Sequence, residues 1–251
     1  MKAAIITVGN EILKGRTVNT NFSYIGELLT YSGYDVIKGI VVRDNIDEIS
    51  SAFREAFSIG DLIVSSGGLG PTYDDMTLDG FSRCFGLKLT KNQDAVNMIL
   101  EKTQYMTPAR EKMSLLPEGS EPLENKAGTA PGVYMEIAGK IFIIVPGVPR
   151  EVKSIMEGVR NRIKIEGFHY TDRSEDLHDI KESLIAPLIA DLMKKYGSNA
   201  YIKTHPKVDE NGKPWVEVEV SAWGNNKDKI EKLADSILEQ IKENVMQNNY
   251  K

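Results

Sequence analysis

The residues best suited to chemistry lie in one run, Ser65-Ser66-Gly67-Gly68-Leu69-Gly70-Pro71-Thr72-Tyr73-Asp74-Asp75-Met76-Thr77. Three glycines fall within four residues, a proline follows, and then two adjacent carboxylates and a threonine. Glycine lets the main chain adopt positive φ and lets a ligand approach the backbone closely. Where a helix starts just beyond such a turn, its free N–H groups face the ligand with the favourable end of the dipole. Gly67, Gly68, Gly70, Pro71 and Thr72 are therefore candidate phosphate contacts, with Thr77 as a further contact. Asp74 and Asp75 would repel a bare phosphate. They suit one that arrives with a hard divalent cation, since Mg²⁺ is commonly held by one or two carboxylates plus phosphate oxygens. Either aspartate alone could simply cap a helix. The whole string favours a ligand site, because few backbones need so many glycines beside so much charge. It is neither a Walker loop, since no Gly-Lys-Ser/Thr follows, nor Gly-x-Gly-x-x-Gly.

The flanking elements must position this run. Asp61–Val64 reads as a short buried strand before it, and Leu78 to about Phe85 as a helix after it. Upstream, residues 2–8 read as an inner strand and Gly9–Gly15 as its exit loop. Asn19-Thr20-Asn21 can cap a helix with Phe22, Ile25, Leu28 and Leu29 on one face, ended by Gly33. Tyr34 to about Val42 is a second strand. Asp44 or Asn45 caps a second helix that buries Ile46, Ile49, Phe53 and Phe57. This β-α-β-α-β order implies a parallel sheet with helices on both faces. Ligands of such sheets bind outside the carboxyl ends of the strands. The Gly9–Gly15 and Gly67–Asp75 loops should meet there, which draws Glu11 toward Asp74 and Asp75 as a carboxylate cluster.

Further on, a helical stretch from about Asn92 to Arg110 breaks near Pro108. A second glycine- and proline-rich loop, Pro122–Gly132, leads into a hairpin of Val133–Ile137 and Lys140–Val145. Lys126 in that loop is either a phosphate contact or an ordinary surface lysine. Pro146–Glu151 exits the hairpin and opens a helix carrying Val152, Ile155, Met156 and Val159, with Pro149 suited to its first turn. The texture changes at about residue 167. Gly167–Asp179 is polar and aromatic and reads as a linker. Then follow a helix from about Ile180 to Tyr196, strands Ala200–His205 and Trp215–Ala222, and a last helix with Ile230, Leu233, Ala234, Ile237, Leu238 and Ile241 on one stripe. The expected division is 1–166 and 167–251, the second part a small α-β-β-α unit.

Of 251 residues, 41% are hydrophobic and 27% charged, as in ordinary globular chains. No run of about 18 apolar residues exists, so no membrane span is expected. The N-terminus turns polar too soon for a signal peptide. A single cysteine, Cys84, excludes an internal disulfide, and a cytoplasmic location is expected. The net charge of −5 argues against nucleic acid as the main partner.

The glycine–aspartate string resembles the CinA family, specifically its N-terminal domain, which is similar to the molybdopterin-binding domains of MoaB and MogA. The match is carried by Gly9-Asn10-Glu11-Ile12-Leu13-Lys14-Gly15, Val18-Asn19-Thr20-Asn21, Gly67–Asp75, Gly128-Thr129-Ala130-Pro131-Gly132 and Pro146-Gly147-Val148-Pro149. The resemblance implies a three-layer α/β domain with a mostly parallel sheet, followed by a small α+β, KH-like domain. It adds Gly9, Asn10, Asn21, Gly128, Thr129, Pro146 and Gly147 to the ligand contacts. It also implies a metal-dependent pyrophosphatase acting on ADP-ribose or a similar nucleotide diphosphate. Glu11, Asp74 and Asp75 would recruit Mg, Mn or Co, and Asp74 or Asp75 would act as ligand or base. A pterin-binding or nucleotidyl-transfer role in molybdenum-cofactor assembly uses the same loops, and a non-catalytic nucleotide-binding module is a third reading. A homo-oligomer is expected from the family. Longer CinA proteins continue into an amidase domain, and that activity is not carried over. The second unit has no Gly-x-x-Gly clamp, so RNA binding is not expected of it.

Overall fold

The first strand, β1 (Lys2–Val8), is buried on both sides from Ala3 onward, as a central parallel strand must be. A short helical turn α1 (Asn10–Leu13) replaces the expected open loop. Then come α2 (Thr20–Tyr31), β2 (Asp35–Val42), α3 (Ile46–Ile59), β3 (Leu62–Ser66) and α4 (Thr77–Phe85). They are followed by β4 (Leu89–Lys91), α5 (Gln93–Thr103), α6 (Pro108–Lys112), β5 (Leu115–Pro117), β6 (Glu121–Leu123), β7 (Gly132–Ile137), β8 (Lys140–Val145) and α7 (Pro149–Ile163). This computed structural model describes residues 1–248. The chain divides into two units, the first ending at Lys164 and the second starting at Ile165.

In the first unit, six strands run in the order β2-β1-β3-β8-β7-β6. β2, β1, β3 and β8 are parallel; β7 runs antiparallel to β8, and β6 antiparallel to β7. α3 and α4 cover one face of the sheet. There Ile49 and Phe53 meet Ile6, Ile63 and Phe142, and an aromatic cluster forms with Phe53–Phe81 centroids at 4.9 Å and Phe81–Phe142 at 5.2 Å. α2 and α7 lie on the other face, where Gly26 backs onto Ile5 and Ile155 packs over Gly132. The break expected near Pro108 in the stretch from Asn92 is present and divides it into α5 and α6. Gln104 takes a left-handed φ of 63° and Thr107 caps α6, so Pro108 opens the second helix.

The second unit comprises β9 (His169–His178), α8 (Glu182–Tyr196), β10 (Ala200–Val208), β11 (Pro214–Gly224) and α9 (Lys227–Asn248). The segment expected as a linker is therefore a ten-residue strand, β9. It pairs antiparallel with β11 over its whole length and closes one edge of a sheet ordered β10-β11-β9. An edge strand with few buried side chains keeps polar residues and shows little hydrophobic alternation, which is why it read as a linker. Pro206 lies within β10, the other edge, where a missing N–H is tolerated. Val216, Val218, Val220 and Ala222 face Ile185, Ile230, Ala234, Ile237 and Ile241 in a separate core.

Candidate functional site

Strand order fixes where the site lies. The chain passes outward from β1 to β2, then crosses back to β3 on the other side of β1. Ligand crevices in open α/β sheets sit outside the carboxyl ends of the strands at such a reversal. The exits of β1, β3 and β8 converge there, and glycine makes the convergence possible. Gly67 has φ 104°, and a Cβ on it would lie 2.1 Å from the Val8 carbonyl oxygen. Its N–H donates to the Val145 carbonyl at 3.0 Å. Gly147 stands so close that its own Cβ would touch the Gly67 Cα at 3.5 Å.

Thr77, fully buried, secures this turn. Its Oγ1 donates to the Gly67 carbonyl at 2.7 Å and its N–H to the Gly68 carbonyl at 3.2 Å. It is a loop brace and does not line the cleft. Asn21 and Asn10 also act beside the cleft rather than in it. The Asn21 amide donates to the Gly147 carbonyl at 2.7 Å, and the Asn10 N–H donates to Asp44 Oδ2 at 2.9 Å.

The exits enclose a cleft of about 830 Å³. Of the expected residues, Gly9, Glu11, Gly67, Gly68, Gly70, Pro71, Thr72, Asp74, Asp75, Thr129, Pro146 and Gly147 line it. Gly128 and Lys126 do not. Gly128 presses on the Glu151 carboxyl, which does line the cleft, and its carbonyl accepts from Lys102 Nζ at 2.8 Å. Lys126 is largely exposed, with its ammonium 3.9 Å from Glu124. The sequence reading missed Asp44, Thr107, Arg110, Met113 and Glu151 as lining residues. Asp44 was legible by the rule that found Glu11, because it follows β2 at the same sheet edge. It was read instead as one of two possible helix caps. Asn45 is the cap, its side chain accepting from the N–H groups of Asp47 and Glu48.

Thr72 organises the two adjacent aspartates. Its N–H donates to Asp75 Oδ2 at 2.8 Å, and its hydroxyl lies 2.6 Å from the same oxygen and within hydrogen-bond reach of Asp74 Oδ1. One hydroxyl proton serves one acceptor at a time, so the two carboxylates share Thr72. The hydroxyl holds the Asp74 carboxyl below its ordinary value, helped by its own backbone N–H and by Lys112. Asp44 shifts the other way. Burial raises its carboxyl, the Asn10 N–H opposes this, and the neighbouring negative charges of Glu11 and Asp74 add to the rise. Glu11 folds its carboxylate back over Gly9, where a Cβ would sit 2.7 Å from its Oε1. Among the described residues, no three His, Cys, Asp or Glu side chains converge closely enough to hold a metal ion by themselves. A divalent ion here would need oxygens from the ligand, as phosphate-bound Mg²⁺ commonly has.

Comparison with known proteins agrees with this fold. Residues 4–164 match the family model described as a probable molybdopterin binding domain. A protein of Caldivirga maquilingensis is 45% identical over 245 residues, covering 96% of this chain and 95% of its own. Protein Ta0487 of Thermoplasma acidophilum is 46% identical over 238 residues, covering 94% and 93%. A crystal structure of the protein CinA, of unknown function, from Thermoplasma acidophilum superposes with a TM-score of 0.64 at 52% identity, over 66% of this chain and 100% of that one. The chain belongs to the molybdopterin-binding domain family, in its CinA-like branch.

Proposed function

We propose that the first unit binds a pterin of the molybdopterin type, a flat donor-rich ring carrying a phosphate. The observation that supports this most is the meeting of three glycine-bearing strand exits around an acidic cleft, within the stretch matched by the molybdopterin-binding family. Half-buried main chain at Gly68 and exposed main chain at Gly147 suit close approach of phosphate oxygens, with buried Gly67 fixing the turn behind them. Carboxylates such as Asp44 suit the ring, whose amino and ring N–H groups form a donor pair that a carboxylate can accept. The test is a fluorescence titration of the full chain with molybdopterin. Saturable binding that is lost in Gly147→Val is expected. Absence of binding, or unchanged binding in that variant, overturns the reading.

The second reading is hydrolysis of a nucleotide diphosphate such as ADP-ribose. It is favoured by the crowding of Asp44, Glu11 and Asp74, whose mutual repulsion a cation would relieve. One or two of Glu11, Asp44 and Asp74 would hold Mg, Mn or Co, with ligand phosphate oxygens supplying the rest of its shell; such an ion would neutralise phosphate charge and acidify a bound water. In this reading Thr72 keeps Asp74 ionised and in place, and Asp75 braces the loop. Water adds to one phosphorus, the P–O–P bridge breaks, and AMP and ribose phosphate leave. Chromatography of these products, with and without chelator and in Asp74→Asn, checks it. No product with any of the three metals removes this reading.

A further inference from the structure

The cleft carries an imbalance of charge. Five carboxylates line it, those of Glu11, Asp44, Asp74, Asp75 and Glu151, against one basic side chain, that of Arg110. An anionic ligand entering such a cleft meets repulsion, so one cation bears much of the discrimination. Arg110 is built for this. Among the described residues its guanidinium forms no ion pair, although five carboxylates share its cleft. Its main chain is fixed by Thr107 and its guanidinium by Tyr105 instead. Its backbone N–H donates to Thr107 Oγ1 at 3.2 Å, in the cap of α6. Its Nη1 donates to the Tyr105 carbonyl at 2.9 Å, and its Cζ stacks 4.5 Å from the Tyr105 ring centroid. A guanidinium has five donors, and that carbonyl takes one of them. A planar fork fixed beforehand loses little freedom on binding phosphate.

We infer that Arg110, braced by Tyr105, receives the ligand's phosphate and makes the cleft select phosphorylated over neutral ligands. This rests on the ligand-binding reading of the cleft. A purely structural Arg110 would instead hold the Gln104–Thr107 turn and leave ligand selectivity alone.

The experiment is calorimetric titration of the full chain with two matched pairs at low and high salt. One pair is 6-hydroxymethylpterin and its phosphate ester; the other is adenosine and ADP-ribose. For the pair that binds, the phosphorylated member should bind about tenfold to a hundredfold more tightly, as a charge-assisted contact gives. In Arg110→Gln that ratio should fall by about tenfold, with the neutral member's affinity unchanged and the salt dependence reduced. Arg110→Lys should restore part of the ratio, and Tyr105→Leu should lower it to an intermediate value. A ratio retained in Arg110→Gln overturns the inference while leaving the cleft as the binding site. Binding of ADP-ribose without either pterin removes the pterin reading, and Arg110 is then judged on the adenosine pair. No binding of either phosphorylated compound overturns both.

Discussion

The two units solve the same packing problem in different ways, and the cleft of about 830 Å³ belongs to the first. In the first unit, β1, β3 and β8 are buried on both faces and run parallel. Parallel neighbours need long crossovers, so their exits all leave from one edge and meet there. In the second unit, β11 lies between two antiparallel partners, with Val216, Val218 and Val220 inward and Trp215, Glu217 and Glu219 outward. There β9 and β10 exit at the end of the sheet where β11 begins, and β11 exits at the opposite end, so its three exits do not all gather. Glycine crowded against a neighbouring strand's exit is thus a property of the first unit, whereas Gly197 in the second crowds only its own helix at the Met193 carbonyl; side-chain alternation marks the second.

That contrast can be broken deliberately. Phe142→Ala should have the largest effect. It empties the centre of the aromatic cluster and should cost about 4 kcal/mol. Two-transition chemical denaturation should show the loss in the first unit alone. Gly67→Ala should follow, at about 3 kcal/mol, because its φ is left-handed and the added Cβ meets a backbone carbonyl that cannot move aside. The equivalent insult in the second unit is a side-chain one. Val218→Ala should cost roughly 2 kcal/mol there, whereas Glu219→Ala on the outward face should change stability by less than about 0.5 kcal/mol. If Gly67→Ala and Glu219→Ala were equally mild, the contrast would not hold.

The smallest effect is in pH dependence. The folded-state value of Asp44 is raised, so folding favours its protonated form. Its contribution is present below the unfolded value and is lost as pH rises through the folded one. Asp74 is lowered and works in the opposite sense, its contribution lost as pH falls through its folded value. Asp44→Asn should therefore steepen the loss of stability on acidification through the carboxylate range, by leaving Asp74 unopposed. Denaturation midpoints at stepped pH check this, and an unchanged profile would contradict the assigned directions.

What the sequence disclosed follows from the same contrast. Gly67-Gly68-Leu69-Gly70 and Gly147 were legible because glycine beside a strand end has few uses. Glu11 was legible from its place after β1. Arg110 was not, because its role depends on the left-handed Gln104 and on Tyr105, neither of which leaves a periodic signal. Thr77 was read as a ligand contact because the sequence places it near the glycines but cannot show that its hydroxyl points back to the Gly67 carbonyl. β9 was hidden because pairing with β11, rather than burial of its own side chains, holds it in place.

Hydrogen exchange of the full chain with and without molybdopterin tests the central claim most directly. Protection confined to residues 9–15, 67–75, 105–113 and 146–149, with 200–224 unchanged, is the predicted result. Protection that appears in the second unit's sheet, or none in the first unit's glycine loops, would contradict the account.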